Sequence, residues 1–373
     1  MLLRLQRVRE LMEARGLDCC VAASPDNVFY LTNFANFIHE RPFILVVTKI
    51  GAPQFVVPRL EIPHVRARAV GDLELVEYPE FPAPAGSTWA DALRALIPRG
   101  ARTGVESTCP LMVHDVIPGT RVPNDVIDDA RMIKTAYEAG RIAYACGLCT
   151  DAMRALFAGA KPGRSLMQTA PELTGMTLMR VLRDNPVTNM LATKLQAVFQ
   201  PPSVSHDPHN FTNVAMAMTE GGPHVGIMNF VVNGYGSEIE RSFFLGKVPE
   251  AAKRPFEVMM TARRLAFELT VPGAVMGEVD RRVNDVFRSA GYGEYLLHRT
   301  GHGIGVTGHE GPFLAEGDDR VIEPGMVFTI EPGVYIPGVG GFRHSDTLIT
   351  TERGNVSLTE GPDSLEAVTL PVS

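Results

Sequence analysis

The second half of the chain carries the side chains that could do acid–base chemistry. His302 and His309 lie in a glycine-rich stretch, Glu331 precedes Pro-Gly, and Glu238 and Glu240 alternate along a predicted strand. Imidazole and carboxylate groups donate and accept protons near neutral pH, and both ligate metals. Because residues two apart on a strand share a face, Glu238 and Glu240 should point the same way. Carboxylates that close raise one another's pKa unless a cation joins them.

The elements that position these residues occur twice in the sequence. Each copy has a Pro-Gly that opens a predicted helix, a histidine-containing loop, a strand beginning at glycine, and a strand with a charged pair. The paired landmarks are Lys161–Gly163 and Val271–Gly273, His206 with His209 and His302 with His309, Gly221–Ile227 and Gly325–Glu331, and Glu238–Arg241 and Arg343–Asp346. This repeat predicts a pseudo-twofold domain with its cleft between the copies.

The first 130 residues alternate helix and strand signals and predict a small α/β domain with a mixed sheet. A helix is expected before Gly16, strands over 18–23, 43–47, 54–57 and 73–76, and a long helix over 133–158. A length of 373 residues also predicts two domains. We therefore place the domains at 1–130 and 131–373.

Composition excludes several classes of function. The formal net charge of −7 and the absence of long basic runs argue against nucleic acid as a partner. No apolar stretch approaches the ~18 residues that a membrane span needs. Charged residues interrupt the first 16 positions, which excludes a secretion signal. Five cysteines without framework spacing predict a reduced, cytoplasmic chain.

Two motifs are weaker than they look. Cys146 and Cys149 have CxxC spacing but lie inside a helical pattern, so packing explains them better than redox or zinc chemistry. The GxGxxG at 303–308 is followed by Pro312 rather than by a helix, so no dinucleotide site is predicted. We expect Gly303 and Gly305 to let the backbone approach a ligand instead.

Together these landmarks resemble the pita-bread family, which includes methionine aminopeptidase, aminopeptidase P, prolidase and creatinase. The resemblance rests on segments spread over nearly the whole chain: Leu17-Asp18, Asn27–Leu31, Arg131–Lys134, Gly301–Gly305, His309–Pro312, Glu323–Met326, Ile330–Gly333 and Gly341–Thr347. It implies an α+β fold with a small N-terminal α/β domain and a C-terminal pita-bread domain that contains the repeat.

The resemblance also implies where metal would bind. Peptidases of this fold hold two cations with Asp, Asp, His, Glu and Glu, and those positions fall here on Ile227, Glu238, His302, Glu331 and Ser345. Isoleucine has no lone pair, and a serine hydroxyl is a poor ligand. We therefore expect no metal pair and no cofactor, while one weakly held cation stays open.

Metal-free creatinase then supplies the leading hypothesis. His209, Glu240 and Glu331 fall on its proton-transferring histidine and its two guanidinium-holding glutamates, and Tyr235 opens the matching strand. The resemblance implies a metal-independent hydrolase of a non-peptide C–N bond in a small amidine, guanidine or amide. His302 and His309 would polarise the reacting centre, and Glu238 would join Glu240 in binding substrate.

The remaining expectations concern partners and alternatives. His39 or Arg41, in a loop that reaches the neighbouring subunit in creatinase, would hold the substrate acid, which implies a homodimer. Arg343 and Asp346 should form a structural ion pair. One alternative is an Xaa-Pro dipeptidase or aminopeptidase with a single metal on Glu238, His302 and Glu331. The other is a catalytically inactive binding module.

Overall fold

The computed structural model describes residues 1–36, 40–211 and 213–372. The chain divides into two compact units, Met1–Arg131 and Met132–Ser373. Each unit is described by itself below.

Helices and strands alternate in the first unit, as the sequence predicts. In chain order they are α1 (Leu2–Ala14), β1 (Cys19–Ala22), α2 (Pro25–Thr32), β2 (Ile44–Thr48), β3 (Gln54–Pro58), α3 (Ile62–Arg68), β4 (Glu74–Tyr78), α4 (Trp89–Leu96), β5 (Arg102–Val105), α5 (Leu111–His114), β6 (Thr120–Pro123) and α6 (Val126–Met132).

The sheet of this unit is mixed, with the order β4-β3-β2-β1-β5-β6. Strand β1 runs antiparallel to β2 and parallel to β5. Strands β5 and β6 were not predicted, because Arg102–Val105 and Thr120–Pro123 mix arginine with glycine or proline and lack the apolar run that marks β1. Helix α2 was not predicted either; its start is marked by Pro25 and by the Ser24 side chain, which accepts a hydrogen bond from the backbone N–H of Asn27.

The second unit contains four helices and a larger sheet among its described residues. Its elements are α7 (Ala136–Gly159), α8 (Leu166–Asp184), β7 (Lys194–Gln200), β8 (Gly221–Val232), β9 (Tyr235–Leu245), α9 (Glu250–Leu269), α10 (Met276–Ser289), β10 (Gly301–Gly303), β11 (Glu310–Leu314), β12 (Val327–Ile330), β13 (Gly333–Ile336), β14 (Gly340–Arg343), β15 (Ser345–Thr351), β16 (Gly354–Ser357) and β17 (Thr369–Leu370).

The internal repeat is confirmed by the hydrogen bonds that precede α8 and α10. Gly163 and Gly273 both have positive φ, 82° and 91°, a backbone conformation that would strain a residue with a side chain. Each glycine therefore lets the chain turn into the helix that follows. The same two backbone bonds follow in each copy: Gly163 N to Met218 O and Leu166 N to Met216 O, then Gly273 N to Ile322 O and Met276 N to Arg320 O.

The main sheet repeats in the same way. Its order, β11-β10-β12-β15-β9-β8-β7, places β9 of the first copy beside β15 of the second, with β8 and β12 outside them. The predicted fold class, a small α/β domain followed by a pita-bread domain, is therefore confirmed. The two copies meet at the β9–β15 pair. Strand β9 carries Glu238, Glu240 and Arg241, β15 carries Asp346, and Arg343 ends the neighbouring strand β14.

Helix α7 covers one face of this sheet. The Cys149 thiol lies 3.1 Å from the Ser237 hydroxyl on β9. Cys146 and Cys149 are both buried, and neither forms a disulfide. Burial raises the pKa of the Cys149 thiol, so the CxxC spacing reflects packing, as expected. Because side chains alternate, the neighbours of Ser237 on β9 point to the opposite face. Among the described residues, no helix is long and apolar enough to cross a membrane.

Candidate functional site

Strand register brings the predicted carboxylates together on the face opposite α7. Glu238 pairs with Asn229 on β8, and Glu240 pairs with Ile227 on β8 and with Ser345 on β15. These five side chains alternate in step, so they share one face of the sheet. The expectation that Glu238 and Glu240 point the same way is met by this register.

Glu238 lies at the centre of the group and is buried, with 4% of its surface exposed. The Ser345 hydroxyl donates to its Oε1 at 2.7 Å, and the Asn229 amide donates to its Oε2 at 3.2 Å. Two neutral donors therefore orient this carboxylate without neutralising its charge. Ser345 acts here as a hydrogen-bond donor to Glu238, although its position was considered only as a missing ligand.

His302, on β10, presents an unprotonated nitrogen to the site. Its Nδ1 lies 2.9 Å from the carbonyl oxygen of Gly303, which can only accept, so Nδ1 carries the hydrogen. Burial lowers the pKa of this imidazole, so the ring is neutral and Nε2 carries a lone pair. Nε2 has no hydrogen-bond partner among the described residues and lies 3.3 Å from Glu331 Oε1.

Glu331 follows β12 directly, and its backbone N–H is held by the carbonyl of Thr300. Burial, and then the charge of Glu238, raises the pKa of Glu331 to about 8. His302 Nε2 and an ionised Glu331 oxygen are both acceptors, so their approach is favourable only with a proton or a cation between them. This pair can therefore either share a proton near neutral pH or ligate a cation.

His309 is the exposed member of the group. Its ring stacks on His302 with centroids 3.9 Å apart and planes inclined by 19°. Burial of the inner part of the ring, and then His302, lowers the pKa of His309 to about 4. A neutral imidazole at the surface of the site can donate a hydrogen bond to a substrate oxygen.

Glu240 has a partner inside the protein. Arg343 Nη2 donates to Glu240 Oε1 at 2.8 Å, and Arg343 Nε forms an ion pair with Oε2. Although burial opposes the charge, Glu240 raises the pKa of the Arg343 guanidinium above its ordinary value. The predicted ion pair between Arg343 and Asp346 is therefore wrong: Asp346 binds Arg241 and Arg263 on the other side of the sheet.

A chain of two further residues fixes Arg343. Arg343 Nη1 donates to Tyr335 Oη at 3.0 Å, and Tyr335 Oη lies 2.6 Å from His298 Nε2. Sequence reasoning missed both residues. Tyr335 could have been noticed on the short strand that pairs with the one carrying Arg343, whereas nothing near His298 in the sequence marks it.

Gly303 and Gly305 approach protein rather than ligand. A Cβ on Gly303 would collide with the backbone of Gly311, and one on Gly305 would collide with the Glu310 carboxylate. Glu310 is itself buried against Lys134, with Nζ 2.9 Å from its Oε1. The expectation that these glycines make room for a ligand is therefore corrected: they let the His302 loop pack on β11.

Of the other predicted residues, Tyr235 is not brought into this group, and His209 lies at its edge. Tyr235 is fully buried on the opposite face of β9, with its ring edge-to-face against Tyr137, so it is not a substrate contact in this arrangement. His209 is exposed and packs on Phe211, and a charge on it would lower the pKa of His309.

The structure does not test the two residues predicted from the N-terminal loop, Arg41 and His39. Arg41 belongs to the first unit, where Glu40 and Glu80 bind it. His39 lies outside the described residues. A substrate contact from either residue stays a prediction.

Two sets of side chains in the described residues could hold a cation. They are Glu238 with His302 and His309, and Glu238 with Glu240 and Glu331; within each set the ligand atoms lie within 4.8 Å of one another. Glu240 is engaged by Arg343, which leaves Glu238, His302, Glu331 and His309 as available donors. A carboxylate and imidazole set of this kind suits one divalent transition metal.

Comparison with known proteins gives this site a context. Residues 140–352 match the model of metallopeptidase family M24, and residues 4–133 match the creatinase/prolidase N-terminal domain. The chain is 28% identical to the Xaa-Pro dipeptidase of Pyrococcus furiosus over 96% of this chain and 97% of that one. It is 30% identical to the probable dipeptidase PepE of Mycobacterium tuberculosis, over 96% and 93%.

A solved structure matches equally well. The dipeptidase PepE of Mycobacterium ulcerans has a TM-score of 0.83 and 26% identity, covering 99% of this chain and 97% of that one. The resemblance seen in the sequence, the fold and the broad class of hydrolase are therefore confirmed.

The prediction of a metal-independent hydrolase of a non-peptide C–N bond is wrong. The two relatives named above match along nearly the whole chain and are dipeptidases by name, and the matching family is one of metallopeptidases. The site supplies a physical reason, because Arg343 already occupies Glu240, which the prediction had reserved for a cationic substrate.

Proposed function

Because the chain belongs to metallopeptidase family M24, we propose that it hydrolyses the peptide bond of dipeptides, including those with proline in second place. The observation that carries the proposal is the unpartnered Nε2 of His302, which faces Glu331 in a buried group that also contains Glu238. The near-complete alignment with dipeptidases supports the choice of substrate. A homodimer and a cytoplasmic location stay predictions.

The residues fit one divalent cation and do not fit two. Of the five positions that hold a metal pair in this fold, Ile227 and Ser345 offer no anionic ligand, and Ser345 already donates to Glu238. Glu238, His302 and Glu331 would hold the single cation. When bound, it would supply positive charge that polarises the scissile carbonyl.

The protein's own residues supply the rest of the chemistry. Hydrolysis forms a C–O bond from water, breaks the C–N bond and moves one proton from water to the leaving amine. The Glu331 carboxyl, which lies beside His302 Nε2, can accept that proton and return it to the amine. His309, neutral and exposed, can donate a hydrogen bond to the carbonyl oxygen as negative charge develops there.

The test is a dipeptide panel. Wild-type protein supplied with Mn²⁺, Co²⁺ or Zn²⁺ is incubated with Ala-Pro, Leu-Pro, Ala-Leu and Gly-Gly, and the free amino acids are quantified by chromatography. We expect turnover of at least one dipeptide. His309→Ala should lower kcat/KM by about 100-fold, the usual loss when one donor to a developing oxyanion is removed.

The matched control is His114→Ala, which changes a surface histidine of the first unit and should keep full activity. Full activity of His309→Ala would contradict the role given to that residue. No turnover of any dipeptide by a folded, metal-supplied protein would overturn the proposed function. Dipeptide-induced stabilisation without turnover would favour the binding-module alternative.

A further inference from the structure

Without a bound cation, the charges of the side chains beside the proposed cation site do not sum to zero. Glu238, Glu240 and Glu331 are carboxylates within one buried group, and among the described residues Arg343 is the cation paired with one of them, Glu240. Arg299 also acts on Glu331, but it is only half-buried and forms no ion pair with these carboxylates in the described residues, so solvent screens its charge. When a cation displaces the protons from these carboxylates, three negative charges and the positive charge of Arg343 leave two negative charges, which a single dication neutralises. A second dication would leave an excess of positive charge in a site where unbalanced charge is strongly unfavourable.

The surroundings of Glu240 separate it from the other two carboxylates. Its cross-strand neighbours are Ile227 on β8 and Ser345 on β15, and neither side chain is charged. Both of its oxygens face the Arg343 guanidinium, and both residues are 4% exposed. A carboxylate that meets a guanidinium through both oxygens forms a stronger pair than one that makes a single contact. Glu240 and Arg343 thus neutralise each other, while Glu238 and Glu331 remain for a cation.

Arg343 is held so that it cannot turn away from Glu240. His298 Nδ1 donates to the carbonyl of Arg299 at 2.8 Å, so its neutral ring must accept at Nε2. The Tyr335 hydroxyl donates to that Nε2, and its oxygen in turn accepts from Arg343 Nη1. The backbone carbonyl of Arg299 therefore fixes the direction of each hydrogen bond from His298 through Tyr335 to Arg343. A rotated Arg343 would leave both Glu240 and the Tyr335 oxygen unpaired in the interior.

We propose that the Glu240–Arg343 ion pair takes the place of a second metal ion, so that the site binds one divalent cation per chain. Arg343 is then a permanent cation of the active site, Glu240 is its positioning residue, and Tyr335 and His298 fix both. This inference rests on the single-cation site of the proposed function and departs from the metal pair of the pita-bread peptidases.

Counting the bound metal tests this inference. Full-length protein is freed of metal with a chelator, dialysed and titrated with MnCl2 or ZnCl2 by calorimetry, and metal per chain is counted by plasma mass spectrometry. The wild type should saturate at one equivalent. Two equivalents, or none, would overturn the inference.

Two variants test the ion pair itself. Arg343→Met frees Glu240 from its fixed counter-charge and so completes the second candidate set, Glu238 with Glu240 and Glu331, which should bind a second equivalent without Ile227 or Ser345. Arg343→Lys, which keeps the charge, should stay at one. Glu240→Gln leaves Arg343 uncompensated near the cation, so the Kd of the single equivalent should rise at least tenfold. If Arg343→Met fails to fold, the Glu240→Gln affinity and the wild-type count still decide the question.

Arg263→Met is the matched control. It removes a guanidinium that binds Asp346 and contacts none of the three carboxylates, so metal count and affinity should not change. A single equivalent in folded Arg343→Met, or an unchanged Kd in Glu240→Gln, would contradict the inference. Two equivalents in an active dipeptidase would overturn this inference alone. One equivalent without dipeptide turnover would overturn the proposed function alone.

Discussion

The two faces of the β9–β15 pair use the same residue types to opposite effect. On the face that carries the site, three carboxylates lie together, and in the described part of the chain Arg343 is the guanidinium paired with one of them, Glu240. On the other face one carboxylate, Asp346, binds two guanidiniums, Arg241 and Arg263, and accepts from the Thr359 hydroxyl. The described side chains on the site face therefore carry an excess of negative charge, and those around Asp346 on the opposite face carry an excess of positive charge.

The balance of charge separates a structural cluster from a functional one. Burial alone would raise the pKa of Asp346, but Arg241 and Arg263 hold it below the ordinary value of 3.8. On the site face burial, and then Glu238, raises the pKa of Glu331 to about 8. A carboxylate with surplus cations is locked in its charged form, whereas one without them is ready to bind a proton or a metal.

The largest expected effect is on the site face. Glu331→Gln keeps the shape of the side chain but can neither take a proton nor ligate as an anion, so kcat/KM for a dipeptide should fall about 10²–10⁴-fold. The unfolding temperature should stay close to that of the wild type, because a neutral amide is easier to bury than a carboxylate. Glu250→Gln, at an exposed helix start, is the control. Full activity of Glu331→Gln would show that catalysis does not depend on this carboxylate, and it would contradict the functional role given to the site face.

The counterpart on the other face should lose stability and retain chemistry. Asp346→Asn leaves Arg241 and Arg263 without a buried counter-charge, and we expect the free energy of unfolding in urea at pH 7 to fall by about 3–5 kcal/mol. Because the folded-state pKa of Asp346 is depressed, the wild-type advantage is complete above pH 3.8. It should be lost as the pH falls through the folded-state pKa.

Asp363→Asn is the control for this prediction, since Asp363 is exposed and lies 3.9 Å from Arg263. Its effect on the free energy of unfolding should stay within about 0.5 kcal/mol. A loss in Asp346→Asn that stayed constant down to pH 3 would show that charge is not what Asp346 contributes.

A smaller effect should follow from loosening Arg343. Tyr335→Phe removes the hydroxyl between Arg343 and His298 and leaves a buried donor and a buried acceptor unpaired. We expect a loss of about 1–3 kcal/mol in the free energy of unfolding. Tyr137→Phe, at a side chain that is 58% exposed, should change it little. Equal stability of the two variants would mean that the chain of hydrogen bonds does not hold Arg343.

The smallest expected effect concerns the orientation of Glu238. Ser345→Ala removes the hydroxyl that donates to Glu238 Oε1 at 2.7 Å and should weaken cation binding about tenfold, as for other residues that orient a ligand. The Kd is measured by calorimetry with MnCl2. Ser357→Ala, on β16, is the control. Tighter binding in Ser345→Ala would show that the hydroxyl competes with the cation for Glu238.

Much of the fold could be predicted because its signals are local. The opening helix, the first four strands, helix α7 and the repeated Pro-Gly turns all leave a period or a punctuating residue in the sequence. The short strands β5 and β6 could not be predicted, because each mixes arginine with glycine or proline in place of an apolar run, and their pairing is non-local. The candidate residues Glu238, Glu331, His302 and His309 were also found from the sequence, through the landmarks of the repeat.

The partners of those residues could not be predicted. The sequence suggested Arg343 with Asp346 and Arg241 beside Glu238, but the structure pairs Arg343 with Glu240 and Arg241 with Asp346. Neighbours in sequence point to opposite faces of a strand, so the partner depends on which strand lies alongside. That choice, β9 beside β15, joins residues about 100 positions apart.

The sequence by itself determined which side chains are present at the site, including Ile227 and Ser345, and therefore how many anionic ligands a metal could find. Only the tertiary structure decided how the charges are shared. The carbonyl of Gly303 sets the tautomer of His302, and the strand register gives Glu240 to Arg343. Ligand identity is a property of single residues, whereas charge balance and proton position depend on which groups the fold brings within a few ångströms of one another.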